Sequence, residues 1–397
     1  MQDLRWCIVF GLACLFGHVS AAYSPIREHA GATFFDRWAY YGNVDNTTWG
    51  NVTFQDKENA TSRGLTFING AGNAVIKVDN TTTILPAPLV NRDSIRLTSL
   101  DSYGVGSLII IDAVHIPYGC SVWPSFWTYG IEEEWPAAGE IDIIEAINDM
   151  NHNQVALHTN RSAGCFQSPN VTQSGTTLEK DCGTDQGCIV AENKPNSFGP
   201  GFAQAGGGVY AVQIESSGIN SWFFGRAELP DNLKSATSSS AMDISTWGLP
   251  TAAYPTAGCN IDHFFPPQNL VLLTTLCGVW AGVPSIYSST CHTPTNSCVN
   301  DNIIGSGANY ANAYWEIRYI RAYQSDTAAA SLVPSSALPS PPSPTNSNVV
   351  VVVTTSTIVT PPSPSPTTTS SAALLHPQAS FGILTFVFLL FTTALML

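Results

Sequence analysis

Along most of the chain, apolar and polar residues alternate in short runs, and this alternation predicts strands. Thr66-Phe-Ile and residues 74–79, 95–99 and 106–114 carry the pattern first. Residues 155–159, 209–215 and 221–224 continue it, the last two joined by an expected turn over 216–220. Residues 269–276 are almost continuously apolar, and residues 314–323 alternate Tyr, Glu and Arg with Trp and Ile. Such runs recur roughly every 8–15 residues with turn-forming residues between them, and no helical period is sustained. The spacing predicts an all-β fold, a sandwich or a barrel. Residues 160–207 are rich in Gly, Asn and Cys and read as a long irregular stretch that needs stapling.

Both ends depart from the pattern. Arg5, the apolar run 7–16 and the small residues Val19-Ser-Ala21 read as a secretory signal, so residues 1–21 are expected to be removed. The apolar run is too short to span a bilayer. Residues 326–373 are dominated by Ser, Thr, Pro and Ala and carry almost no charge, the composition of an O-glycosylated stalk with no packed core. Residues 381–397 are apolar with no Lys or Arg after them. A stop-transfer helix wants about 20 apolar residues and a basic flank. Small residues at Ser370-Ser-Ala372 and a short spacer instead fit a glycosylphosphatidylinositol (GPI) attachment signal over 374–397. The expected organisation is therefore signal 1–21, folded β domain 22–325, stalk 326–373 and removable anchor signal 374–397. It places the protein at the cell surface or in the cell wall, on a lipid anchor rather than a spanning helix.

One strand pattern carries an anomaly. Glu140-Ile-Asp142-Ile alternates acid with apolar, but strict alternation would turn Glu145 to the isoleucine face. One extra residue, a β-bulge at Ile143-Ile144, restores the phase and brings Glu140, Asp142 and Glu145 to one face. Burying charge is costly unless it is paired or used, and only 11% of this chain is charged. Two carboxyls so placed fall near the roughly 5–5.5 Å separation of a retaining glycosidase. A calcium site or a buried ion pair is the alternative. Tryptophans nearby favour sugar chemistry, because sugar faces stack on aromatic rings. Trp127, Trp135 and Trp280 are the candidate platforms, against the usual fate of Trp as core.

Composition narrows the partners. A formal net charge of −14 and a pI near 4.8 argue against nucleic acid and anionic membrane surfaces. Of ten cysteines, Cys7 and Cys14 fall in the signal, which leaves eight for a disulfide framework. Cys182–Cys188 and Cys291–Cys298 are expected pairs on separation alone, with Cys120, Cys165, Cys259 and Cys277 left unassigned. No zinc-ligand spacing competes. Sequons stand at Asn46, Asn51, Asn59, Asn80, Asn160 and Asn170.

Residues 139–148, Gly-Glu-Ile-Asp-Ile-Ile-Glu-Ala-Ile-Asn, resemble the active-site strand of glycoside hydrolase family 16 in its bulged, laminarinase-type form. The likeness continues in residues 92–96, 115–124, 157–159, 269–278 and 314–323, and so covers about 24–323. It is nearest to secreted fungal endo-1,3(4)-β-glucanases. The resemblance implies a concanavalin-like jelly-roll sandwich with a concave groove for a β-glucan chain, working as a monomer. It further implies Glu140 as nucleophile, Glu145 as acid/base and Asp142 as their tuner; the residues alone do not order the pair. His158 is implied to adjoin the acid/base, although a lone strand His is more often structural. Arg96 is a candidate for sugar hydroxyls or a surface arginine. No cofactor is implied; some family members carry a structural calcium, but no ligand set for one is assigned. The acidic Ile131-Glu-Glu-Glu134 departs from the nearest relatives near one end of the groove. The competing readings are a wall transglycosylase, found mainly among non-bulged ExDxE strands, and a non-catalytic glucan-binding protein, which would have lost the acids.

Overall fold

The computed structural model describes residues 22–325, apart from 162, 163 and 294. The expected signal, stalk and anchor signal lie outside the described residues.

Within them the chain is a two-layer β-sandwich. An eight-stranded sheet runs, edge to edge, Thr176–Thr177, Cys188–Ala191, Gln154–His158, Glu140–Glu145, Val122–Tyr129, Gln268–Leu276, Arg96–Tyr103 and Trp38–Tyr40. A nine-stranded sheet is built around Tyr314–Ser325, Ser107–His115, Gly208–Glu215 and Gly218–Gly225. Pairing within both sheets is antiparallel. The expected strands are present, including the apolar one, where all nine residues of Gln268–Leu276 are buried. The longest described α-helix, Pro284–Thr290, has seven residues. No helix among the described residues is long and apolar enough to cross a membrane.

Period-two alternation divides the eight-stranded sheet into two faces. Phe126, Ile141, Ile143, Ile144, Leu270 and Leu272 point inward and pack in one cluster with Ile109, Ile111, Val212 and Ile214 of the other sheet. The opposite face is left to the acids. The nine-stranded sheet is covered on its own outer face by Trp222, Phe224 and Trp247, packed with Leu108, Ile110 and Val209.

Two local expectations are corrected. Glu215 pairs with Gly218, so the hairpin turns in two residues, Ser216 and Ser217, and Ile219 and Asn220 are already strand. Gly218, at φ 157°, lies on Tyr254 O, which a Cβ would approach to 2.8 Å.

The disulfides differ more. Cys182–Cys188 forms as expected, but Cys291 bonds Cys120 and Cys298 bonds Cys277. Sequence proximity loses here to element ends. Cys291 caps the Pro284–Thr290 helix, while Cys277 leaves the end of Gln268–Leu276 with φ 58°. Cys165–Cys259 staples the irregular stretch. Long closed loops restrict the unfolded chain most, by about 2–4 kcal/mol each in the usual range. Peptide mapping under non-reducing conditions should recover Cys120–Cys291 and Cys277–Cys298; a Cys291–Cys298 peptide would refute this pairing.

Candidate active site

The bulge lies where the sequence predicts it. Against Val122–Tyr129 the register slips between Asp142 and Ile144, and against Gln154–His158 it slips between Asp142 and Glu145. Glu140, Asp142 and Glu145 thus oppose Tyr129, Trp127 and Ser125, three alternate residues on one face of their strand. The bulge frees backbone groups, and one buried side chain takes them up. Asn153 accepts from the Glu145 N–H at 2.9 Å and donates to Ile143 O at 2.9 Å. At 0% exposure it locks the kink that aims Glu145. Nothing in the sequence marks Asn153 for this task.

Each carboxyl has a distinct partner. Trp135 Nε1 donates to Glu140 Oε2, while Trp123 Nε1 donates to Glu145 Oε1 at 2.9 Å. His158 Nε2 lies 3.2 Å from Asp142 Oδ2. His158 stands opposite Glu140 in the strand pairing, and Gln154, not His158, stands opposite Glu145. The expected His158–Glu145 neighbourhood is therefore corrected: the bulge carries Glu145 away, and His158 reaches it only through its charge.

Trp135 is 52% exposed and edges the groove, its ring 6.1 Å from that of His158. Trp127 is 7% exposed and packs against Tyr129 at 5.1 Å, as groove floor rather than a free plate. Trp280 is half-buried and meets Trp123 edge to face at 5.3 Å. Arg96 is neither a surface arginine nor free. It is buried, with its guanidinium 4.8 Å over Tyr41 and 5.7 Å over Trp127. The Glu132, Glu133 and Glu134 side chains are exposed. Trp123 was legible and missed, since Trp123, Ser125 and Trp127 share the phase of one strand face.

Burial sets the electrostatics. Glu140 is pushed up to about 8, first by burial and then by the negative charge of Asp142. Burial likewise raises Glu145 to about 7, against the Trp123 hydrogen bond and the His158 charge. Asp142 is raised by burial and by Glu145. Burial alone would lower His158, but the contact with Asp142 and the charges of Glu140 and Glu145 outweigh it and raise it to about 9. Glu140 and Asp142 act as one proton-sharing pair. At mildly acidic pH the site then holds one imidazolium, one carboxylate charge on that pair and a protonated Glu145.

Glu140, Asp142 and His158 offer three ligand atoms within 4.8 Å of one another. Two oxygens and a nitrogen do not suit calcium, which takes six to eight oxygens, and these groups already neutralise each other. Among the described residues the other such grouping is Cys120, Asp149 and Cys291, whose thiols are joined in a disulfide.

Residues 38–323 match a family profile described as "XgeA-like, catalytic GH16 domain". A "Probable glycosidase" of Schizosaccharomyces pombe is 37% identical over 310 residues, 76% of this chain and 69% of its own. The endo-1,3(4)-β-glucanase xgeA of Emericella nidulans is 34% identical over 77% of this chain and 48% of its own length. The chain thus spans about half of that relative. Among solved structures, laminarinase 16A of Phanerochaete chrysosporium, with β-glucans in its donor and acceptor sites, gives a TM-score of 0.71 at 34% identity, over 77% of this chain and 100% of that one. An elongating family 16 β-1,3-glucosyltransferase gives 0.69 at 35%, over 76% and 100%.

Two outcomes test this geometry. Asn153→Ala leaves the Glu145 N–H and Ile143 O without a partner, and should destabilise the fold by about 1–3 kcal/mol per orphaned group; an unchanged denaturation midpoint would refute the clamp. In a carboxyl titration followed by NMR, Glu145 should titrate near 7. Trp123→Phe removes a donor to the charged form, so it should move that titration to higher pH.

Proposed function

The chain belongs to glycoside hydrolase family 16, and on that footing we propose that it is an endo-acting, retaining hydrolase of β-1,3 and mixed 1,3/1,4-glucans. One observation carries the reading: a single bulged strand turns Glu140, Asp142 and Glu145 to one face, with a separate tryptophan N–H on each glutamate. A glucan-binding protein without chemistry has no need to bury Asp142 between two half-buried glutamates.

Glu140 attacks the anomeric carbon while Glu145 gives its proton to the departing glycosidic oxygen, and a glucosyl ester forms as the bond to the leaving sugar breaks. The Glu145 carboxylate then takes a proton from water. The water oxygen attacks the anomeric carbon, releasing Glu140 and restoring Glu145 as the acid. Glu140 must be ionised to attack, although it lies above the usual carboxylate range. Moving the shared proton to Asp142 frees it, and the Trp135 N–H stabilises the charge left behind. Asp142 is the proton's holder, and His158, facing it, fixes the pair's total charge.

Family membership alone does not separate hydrolysis from transfer, since an elongating glucosyltransferase is about as similar as a laminarinase. The bulge favours water as acceptor. Four disulfides suit an oxidising, extracellular setting. Secretion, the 22–325 domain with its stalk, glycosylation of exposed sequons such as Asn46 and Asn170, and GPI anchoring complete the reading of a monomeric wall or surface enzyme.

Glu140→Gln should abolish cleavage of laminarin with the fold intact by circular dichroism; near-wild-type turnover would sink the assignment. Glu145→Gln should cost roughly 10²–10⁴ in rate. With wild type on β-1,3-gluco-oligosaccharides, products shorter than the substrate should dominate; early products longer than it would make this a transferase. The alkaline limb of kcat/KM should centre near pH 7, because loss of the Glu145 proton removes the acid. His158→Ala should move that limb to higher pH, since the imidazolium lowers the Glu145 pKa. The same raised carboxyls make folding less favourable as pH climbs from about 4.5, where the unfolded carboxyls ionise, to about 7 and 8, where the folded ones do.

A further inference from the structure

Trp49 is 71% exposed and sits in the left-handed region at φ 54°. A large side chain both solvated and in strained backbone is doubly unfavourable and persists only where the surroundings impose it. The surroundings here are specific. Asp45, 5% exposed, accepts from the Thr47, Thr48 and Gly50 N–H groups and from the Thr47, Thr48 and Thr275 hydroxyls. These bonds fix the 45–50 loop from below. A Cβ on Gly50 would strike Thr275 Oγ1, so the loop lies directly on Thr275.

That position belongs to the groove. Thr275 pairs with Trp123, on the same face as Ser125 and Trp127, one alternation beyond the Ser125 that opposes Glu145. The Val279 N–H donates to Thr48 O at 2.9 Å, tying the loop to the turn that carries Trp280. From Glu145 the chain of contacts passes to Trp123, to Trp280, and through Val279 to Thr48, the residue before Trp49. Beside Trp49 a recess of about 350 Å³ is walled by exposed Val279 and by Asn51, Gly278, Asn296 and Ser297. An apolar plate with amide and hydroxyl groups around it suits a sugar ring, apolar on its faces and polar at its rim.

We propose that Trp49 and this recess form a further sugar-binding subsite, which takes glucose units of the same β-glucan chain beyond the catalytic row at its Glu145 end. The proposal rests on the glucan reading above. The occupant follows from continuity, since Val279 walls the recess and the next residue, Trp280, meets Trp123, the donor to Glu145. Asp45, Thr48 and Gly50 position the ring, and Trp49 is the aromatic face on which the sugar stacks.

Titration calorimetry on the Glu140→Gln protein, which holds substrate without cleaving it, tests this with β-1,3-gluco-oligosaccharides of increasing length. Adding Trp49→Ala should weaken the longest oligomers by roughly tenfold, as expected for one aromatic face, with a loss that shrinks as the oligomer shortens. Trp49→Phe should recover most of the affinity, and both variants should melt with the parent. Identical length profiles with and without Trp49 would overturn the subsite. So would a uniform loss at all lengths, which would mean a disturbed groove. If the parent binds no β-glucan of any length, subsite and glucan reading fall together. If length-dependent binding through Trp49 is found but the wild type cleaves no glucan, the subsite stands and the hydrolase reading falls alone.

Discussion

Three carboxyl groups placed on one face of a buried strand are the constraint on which the site depends. A regular strand cannot deliver them, because Glu145 is an odd number of residues from both Glu140 and Asp142. The bulge resolves the geometry but leaves unpaired backbone in the interior, which is costly. Asn153 removes that cost, and its own buried backbone N–H is met by the Ser197 hydroxyl at 3.0 Å. A chain of small polar commitments, running from the irregular 192–198 stretch into the sheet, therefore supports one kink.

The same burial that would penalise the acids gives them a use. Each carboxyl out of water holds its proton longer, so an acid can exist where exposed glutamates are ionised. Left alone, three such groups would all be protonated and none would be nucleophilic. His158 supplies one positive charge, enough to keep one negative charge among them, and its contact with Asp142 fixes where the balance is struck. Gly187 is part of this arrangement. Any side chain there would come within 2.9 Å of His158 Nε2, and the Cys182–Cys188 bridge closes the loop that brings the glycine over the imidazole.

Strand positions and the acid cluster were legible because period-two patterning survives in any half-buried sheet. The bulge was legible too, since only a phase break reconciles the spacing of the acids with the isoleucines, and Ile143 and Ile144 are both in the core. What escaped was set by distant chain. Cys291 and Cys298 are near in sequence, yet a helix end and a strand end carry them to Cys120 and Cys277. The resemblance implies His158 beside the acid/base; the strand register, invisible in sequence without the partner strand, sets it opposite Glu140 with its imidazole on Asp142 and its charge acting on Glu145. Arg96 between Tyr41 and Trp127, and Asn153 beneath the kink, are tertiary facts with no local pattern.

The carboxyls proposed to react lie within six consecutive residues, while the surfaces proposed to hold the glucan come from the 45–51 loop, the 131–139 turn and the 278–283 turn. Cutting and gripping are thus written in different parts of the gene. A point change in any of the three loops can alter which length or branching of polymer is held and leave the bond-breaking hexapeptide untouched. Deleting Ile141, by contrast, would put Glu140 and Asp142 on opposite faces and turn one carboxylate into the core, whereas deleting Ile143 or Ile144 would leave an unbulged ExDxE strand with all three acids on one face.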